Sequence, residues 1–189
     1  MTQLASSARR PRARRAAVFA CIAIVAIVLD QLTKLWALTA LSDGRTVPVL
    51  GSLLRLTLVF NPGASLGFLA SHTWIIALFA IAACIVLIVL AWRTTSMLWT
   101  VFLSLAFAGA FGNLIDRVIN ATDVLNGAVV DFLNYGWSVG NVADIELMVA
   151  GIGIVLMILC NVKFSDAHEV NGTADTSEQT QSNQAASTK

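Results

Sequence analysis

Apolar residues in this chain run on in long stretches instead of recurring between polar ones. Four stretches, roughly residues 16–38, 73–92, 98–116 and 142–162, are long enough to cross the hydrocarbon core of a bilayer as helices of about 20 residues. Lipid offers backbone N–H and C=O groups no partner, so helices are predicted there, not open strands. A different pattern interrupts them at residues 53–60, "LLRLTLVF". There Leu54, Leu56, Leu58 and Phe60 alternate with Arg55, Thr57 and Val59, the period of a half-buried strand, and "NPGAS" after it has the composition of a turn. The predicted fold is an all-α integral membrane protein with four transmembrane helices and a small extracytoplasmic β-sheet element.

Composition agrees: 57% of the 189 residues are hydrophobic and 12% are charged, which excludes an ordinary soluble domain. The net charge of +1 hides a segregation. Arg9, Arg10, Arg12, Arg14 and Arg15 precede the first run, and no acidic residue occurs before Asp30. The positive-inside rule then places the N-terminus in the cytoplasm. Four crossings return the C-terminus there, the loop 93–97 with Arg93 is cytoplasmic, and segments 39–72 and 117–141 lie outside. Three parts are expected: a basic cytoplasmic N-terminus (1–15), a four-helix membrane domain (16–162) and a polar tail (163–189) too poor in large apolar residues to order. Cys21, Cys84 and Cys160 all fall within apolar runs, far apart and without ligand spacing to a histidine, so neither a disulfide framework nor a metal site is expected.

Against this background the charged residues near the outer helix ends stand out, because carrying a charge into hydrocarbon is costly. Asp30 and Lys34 are four apart and share a helix face, as an ion pair with a snorkelling lysine or as a pair that orders a site. Helix three ends "GAFGNLIDR", in which Ala108, Gly109, Ala110 and Gly112 allow close helix approach. Asn113, Asp116 and Arg117 follow at its exit, where a cap or a salt bridge would also account for them. Asn141 and Asp144 open helix four as Ncap and N3, so a capping box explains Asp144 without any chemistry. Asp131, in the apolar "AVVDFL", has no cation near it in sequence. Two carboxylates at close range cannot both stay ionised; sharing one proton, they form an acid and a base able to hydrolyse a peptide bond without metal or cofactor.

In order, "DQLTK" (30–34), "FNPGASLGF" (60–68), "GNLIDR" (112–117), "VVDF" (129–132) and "NVAD" (141–144) resemble the bacterial lipoprotein signal peptidases, or signal peptidase II. The resemblance spans about residues 25–160. It implies a membrane aspartic endopeptidase of the bacterial inner membrane, active near its extracytoplasmic face. The enzyme would remove signal peptides from prolipoproteins immediately before a diacylglyceryl-modified cysteine. By the same resemblance Asp131 and Asp144 are the catalytic pair. Asp30 and Lys34 support the site from helix one; Asn61, Gly63 and Ala64 line it from the outer loop. Asn113, Asp116 and Arg117 brace the loop bearing Asp131, and Asn141 and Ala143 shape the pocket beside Asp144. The implied partners are lipidated prolipoproteins and membrane lipids, not nucleic acid, with the enzyme acting as a monomer.

The chain departs from the family pattern at Leu66, Gly67, Gly140 and Ile145, and Glu146 adds a third carboxylate. Two residues along a helix turn about 200°, so Glu146 is expected to face away from the pair, toward the interface or a neighbouring helix. A different class of function, a small proton-coupled transporter, would use Asp30, Asp116, Asp131 and Asp144 as a relay. A relay should cross the membrane, whereas all four fall at one predicted face.

Overall fold

The computed structural model describes residues 2–63 and 72–165, with side chains from Arg12 onward. Ala64, Leu66, Gly67 and the tail beyond residue 165 lie outside the described residues. Four helices stand where the apolar runs predict them: α1 (Thr2–Ala40), α2 (Thr73–Arg93), α3 (Met97–Ile119) and α4 (Val142–Leu159). Each is long and apolar enough to cross a membrane. The difference is at the start of α1, expected at residue 16 and observed at Thr2. The apolar run marks only what sits in lipid; Ala, Arg, Gln and Leu propagate a helix at little cost once it is nucleated. At 39 residues α1 is about 58 Å long, roughly twice the hydrocarbon thickness.

Helix α3 is central and packs against α1, α2 and α4. Small residues bring the backbones together without a hydrophobic drive between helices. A Cβ at Gly109 would stand 2.5 Å from the Ala143 carbonyl oxygen and 2.8 Å from Leu147 Cγ, and one at Gly153 would overlap the Phe102 ring. The packed stripe of α1 is Ala23, Ala26, Asp30, Lys34, Ala37 and Leu41, spaced by three and four residues. Large apolar residues such as Leu32, Phe79, Ile152 and Leu156 are exposed on the opposite faces, as lipid contact requires.

The α4 stripe consists of Ala143, Glu146, Ala150, Gly153 and Met157. Glu146 therefore turns into the helix packing, as its rotation from Asp144 implies, and its Oε2 has no hydrogen-bond partner there.

A four-stranded antiparallel sheet caps one end of the bundle in the order β1 (Val47–Leu50), β2 (Leu54–Asn61), β3 (Val129–Asn134), β4 (Val139–Gly140). Only β2 is legible from alternation, and that alternation breaks. Leu56 pairs with Leu133, but Val59 pairs with Asp131, so β2 carries one extra residue between these two pairs. Without this bulge Phe60 would share the Asp131 face; with it Phe60 is exposed and Asn61 takes that face.

At the other end of the bundle the chain after α4 folds back over the α2–α3 turn. Trp99 Nε1 donates to the Val162 carbonyl (3.1 Å) and Thr94 Oγ1 to that of Phe164 (2.6 Å), while Trp99 and Phe164 meet edge to face. Arg12 lies over the Trp92 ring at 4.6 Å.

Gly109→Ala should destabilise the bundle by about 1–3 kcal/mol, because the methyl meets backbone that cannot yield without parting α3 from α4; thermal unfolding in detergent reads this. Glu146→Met should stabilise the fold by about 1–3 kcal/mol and so raise the unfolding midpoint, since it removes a buried carboxyl oxygen with no partner and keeps the volume. An unchanged or lower midpoint would mean that the carboxyl is compensated in the folded state.

Candidate active site

Asp131 is carried on β3, on a rigid strand and not on the loop expected from the sequence, and is 1% exposed. Both its oxygens are occupied. Oδ1 accepts from Asn141 Nδ2 (2.7 Å) and Oδ2 from Asn61 Nδ2 (2.9 Å). Burial pushes its carboxyl up from the ordinary range to about 6, with the neighbouring Asp144 charge adding to the rise and the two amides opposing it.

Asp144 is the N3 residue of α4 and faces open space. Its Oδ2 accepts from the Asn141 backbone N–H (3.1 Å), and its own N–H donates to Asn141 Oδ1 (3.0 Å), completing the capping box. Its Oδ1 accepts from Asn113 Nδ2 (2.9 Å). The cap does not compete with a site role, because the same Asn141 that caps α4 also holds Asp131. Asn141 Nδ2 further donates to Asn113 Oδ1 (3.0 Å), so three asparagines and two aspartates form one connected set.

Beneath this set lie the buried charges. Lys34 Nζ sits 2.8 Å from Asp30 Oδ2 and 3.0 Å from Asp116 Oδ2, and donates to Asn113 Oδ1 (3.2 Å). The ammonium is buried, so the snorkelling geometry is not adopted. The other oxygen of Asp30 accepts the Ala143 backbone N–H (3.0 Å), and Asp116 Oδ2 also accepts the Val130 N–H (3.0 Å), which fixes the strand position next to Asp131. Gln31 Nε2 bridges Asp30, Asp116 and the Gly112 carbonyl, a role that its place inside "DQLTK" did not reveal.

Arg117 holds the segment ahead of β3 through its carbonyl, which accepts the Gly127 N–H (3.2 Å), and its side chain does more. It braces the end of β2, with Nη2 donating to the Gly63 carbonyl and Nη1 to that of Asn113 (both 3.0 Å). Gly63 in turn donates its N–H to Asn61 Oδ1 (3.0 Å), an Asx turn that orients the Asn61 amide toward Asp131.

Asp131 and Asp144 face one cavity of about 760 Å³. Asn61, Gly63, Asn113, Arg117 and Asn141 reach its wall or the two carboxylates directly. Ala143 does not line it; the residue points into the helix packing and acts through its N–H on Asp30. Of the departures from the family pattern, Gly140 and Ile145 both line the cavity beside Asp144, whereas Glu146 does not. A Cβ at Gly140 would stand 2.7 Å from Asp144 Oδ2, so glycine leaves the capping carboxylate room. Tyr135, Trp137, Leu53 and Met148 complete the apolar wall, and none of them announces itself by a motif.

Comparisons with known proteins agree with this architecture. Residues 22–161 match the family model described as "Signal peptidase (SPase) II". A lipoprotein signal peptidase of Bifidobacterium adolescentis is 65% identical over 160 residues, 84% of this chain and 86% of the relative. One from Bifidobacterium longum subsp. infantis is 60% identical over 151 residues, 80% and 83% of the two chains. Among solved structures, a bacterial membrane enzyme determined by the in meso method at 2.3 Å superposes with a TM-score of 0.69 at 30% identity, covering 80% of this chain and 94% of that one. With the family model matching most of its length and relatives up to 65% identical over 84% of it, this chain belongs to the signal peptidase II family of lipoprotein signal peptidases.

Proposed function

We propose that this chain hydrolyses the peptide bond before the lipidated cysteine of diacylglyceryl-modified prolipoproteins by an aspartic mechanism in which Asp131 and Asp144 are the catalytic pair. The observation that carries the reading is the sharing of Asn141: one amide holds both carboxylates at a single cavity, one buried and one open. Burial makes Asp131 the partner that holds the proton. Asp144, open to the cavity at a helix N-terminus that favours negative charge, acts as the base. Asp144 takes a proton from a water as its oxygen attacks the scissile carbonyl carbon, and Asp131 gives its proton to the carbonyl oxygen. On collapse of the tetrahedral intermediate the C–N bond breaks, Asp144 returns its proton to the leaving amine, and Asp131 recovers its own.

Other proposals follow from the same reading. Asp30, Lys34, Asp116 and Gln31 position the pair through Ala143, Asn113 and Val130. The sheet end faces the extracytoplasmic side of the inner membrane and the arginine-rich start of α1 the cytoplasm, by the positive-inside rule. Apolar Ile145, Leu147 and Met148 on the cavity wall suit a substrate whose acyl chains stay in the membrane. The clustering of Asp30, Asp116, Asp131 and Asp144 at one end of the bundle gives a transporter no path across it.

Asp131→Asn and Asp144→Asn should each lower cleavage of a diacylglyceryl-modified prolipoprotein by about 10³-fold or more while the protein remains folded. A gel-shift assay in detergent with a thermal melt of each variant reads both, and normal cleavage by either would remove that residue from the mechanism. The pH dependence of kcat/KM should show a basic limb near the Asp131 value of about 6, because activity needs its proton and is lost as pH rises through that value. Asn61→Ala removes a donor that favours the charged form of Asp131, so the limb should move to higher pH; movement to lower pH would exclude Asp131 as its source.

A further inference from the structure

Tyr135, the single tyrosine of the chain, lies outside the connected set of aspartates and asparagines. It opens the tight turn between β3 and β4. Its N–H donates to the Ser138 carbonyl (2.9 Å), Gly136 takes a φ of 89° that favours glycine, and the Gly136 N–H is held by Asn134 Oδ1 (2.8 Å). The ring stacks on Trp137 with centroids 6.2 Å apart and planes 28° apart, so both backbone and ring are fixed. Tyr135 lines the cavity that Asp131 and Asp144 face. Its phenol is pushed up from its ordinary acidity by burial first, and then by the charges of Asp144 and Asp131, which places it within electrostatic reach of both. Among the described residues its hydroxyl has no hydrogen-bond partner.

The donors already named are oriented by the acids or by the backbone. The side-chain amides of Asn61, Asn113 and Asn141 each donate to a carboxylate, which sets their planes, and Asn141 gives its second N–H to Asn113. Each terminal nitrogen of Arg117 donates one N–H to a backbone carbonyl, which fixes the guanidinium, and its Nε is buried. Among the described residues, three donor side chains on the cavity wall are engaged by no protein acceptor at all: the phenol of Tyr135, the indole of Trp137 and the hydroxyl of Ser138. The phenol is the most acidic of these and hence the strongest donor, and both aspartates act on it.

Resting on the aspartic reading above, we propose that Tyr135 is a further catalytic residue, whose hydroxyl donates a hydrogen bond to the scissile carbonyl oxygen of the substrate as charge develops there. The turn and the Trp137 stack hold the ring on the cavity wall, so little reorganisation is needed at the moment of reaction. No proton need leave the phenol, because Asp131 supplies the proton that the oxygen gains.

Tyr135→Phe keeps the ring and the stack and deletes only the hydroxyl. In the full-length enzyme with a diacylglyceryl-modified prolipoprotein it should lower kcat about 10- to 100-fold, leave KM within about threefold and leave the thermal midpoint unchanged. Because the chain holds one tyrosine, growth on 3-fluorotyrosine labels position 135 alone. The more acidic phenol should retain activity, and its fluorine resonance should shift when an uncleaved substrate analogue is added to Asp144→Asn enzyme. Full kcat in Tyr135→Phe, a fluorine signal indifferent to the analogue, or the same loss in Ser138→Ala with Tyr135→Phe unaffected would each overturn the proposal. The two readings fail separately: active Asp131→Asn or Asp144→Asn enzyme would sink the aspartic pair, whereas dead aspartate variants beside fully active Tyr135→Phe would sink the tyrosine alone.

Discussion

A single side-chain amide, that of Asn141, ties helix capping to the site. Its oxygen must accept the Asp144 N–H to start α4, and once that is fixed its nitrogen points at Asp131 and Asn113. The amide has no freedom to choose otherwise, since reversing it would place a donor against the Asp144 N–H and an acceptor against a carboxylate. Capping geometry, a local property of a helix start, thereby sets the distance between two residues on different elements. An interaction that would count as ordinary local stabilisation in a soluble helix here fixes the relation of the two carboxylates.

The buried charges make sense as the base on which this joint rests. Lys34 in hydrocarbon would be unaffordable without Asp30 and Asp116, and those two carboxylates would be equally costly without Lys34. Each carboxylate has oxygens to spare, and these receive backbone N–H groups of Ala143 and Val130. One N–H lies beside Asp144 on α4 and the other beside Asp131 on β3. The ion cluster thus locks the two supporting elements to α1 and α3, and it does so in a medium where water cannot compete for the bonds. Removing one member would leave its partners charged and unpaired at membrane depth, a larger loss than the bond itself.

The helices were legible because hydrocarbon imposes one solution on a long apolar run, and four such runs leave little choice of architecture. The sheet was legible only in part. β2 declared itself by alternation, but a single extra residue reversed the faces, so Phe60, not Asn61, was the residue that period two assigned to the buried side. β3 reads as an apolar run because both of its faces are covered, and Asp131 sits in it without any cation in sequence. Its partners come from residues 61 and 141, which no local pattern joins. Ala143 was assigned to the pocket because motif neighbours were read as spatial neighbours, whereas one step around a helix, about 100°, turns it from the Asp144 face into the helix packing. Tyr135 carries no motif; its significance appears only when a short turn folds it over the pair.

The order of elements along the chain gives α4 a temporal meaning. Both halves of the capping box, one of the two carboxylates and the segment that closes over the α2–α3 turn all belong to the last part of the membrane domain to leave the ribosome. Until α4 has entered the bilayer, α1, α2 and α3 hold Asp131 without its companion. Between the synthesis of β3 and that of α4 the chain therefore holds only one of the two aspartates that face the cavity.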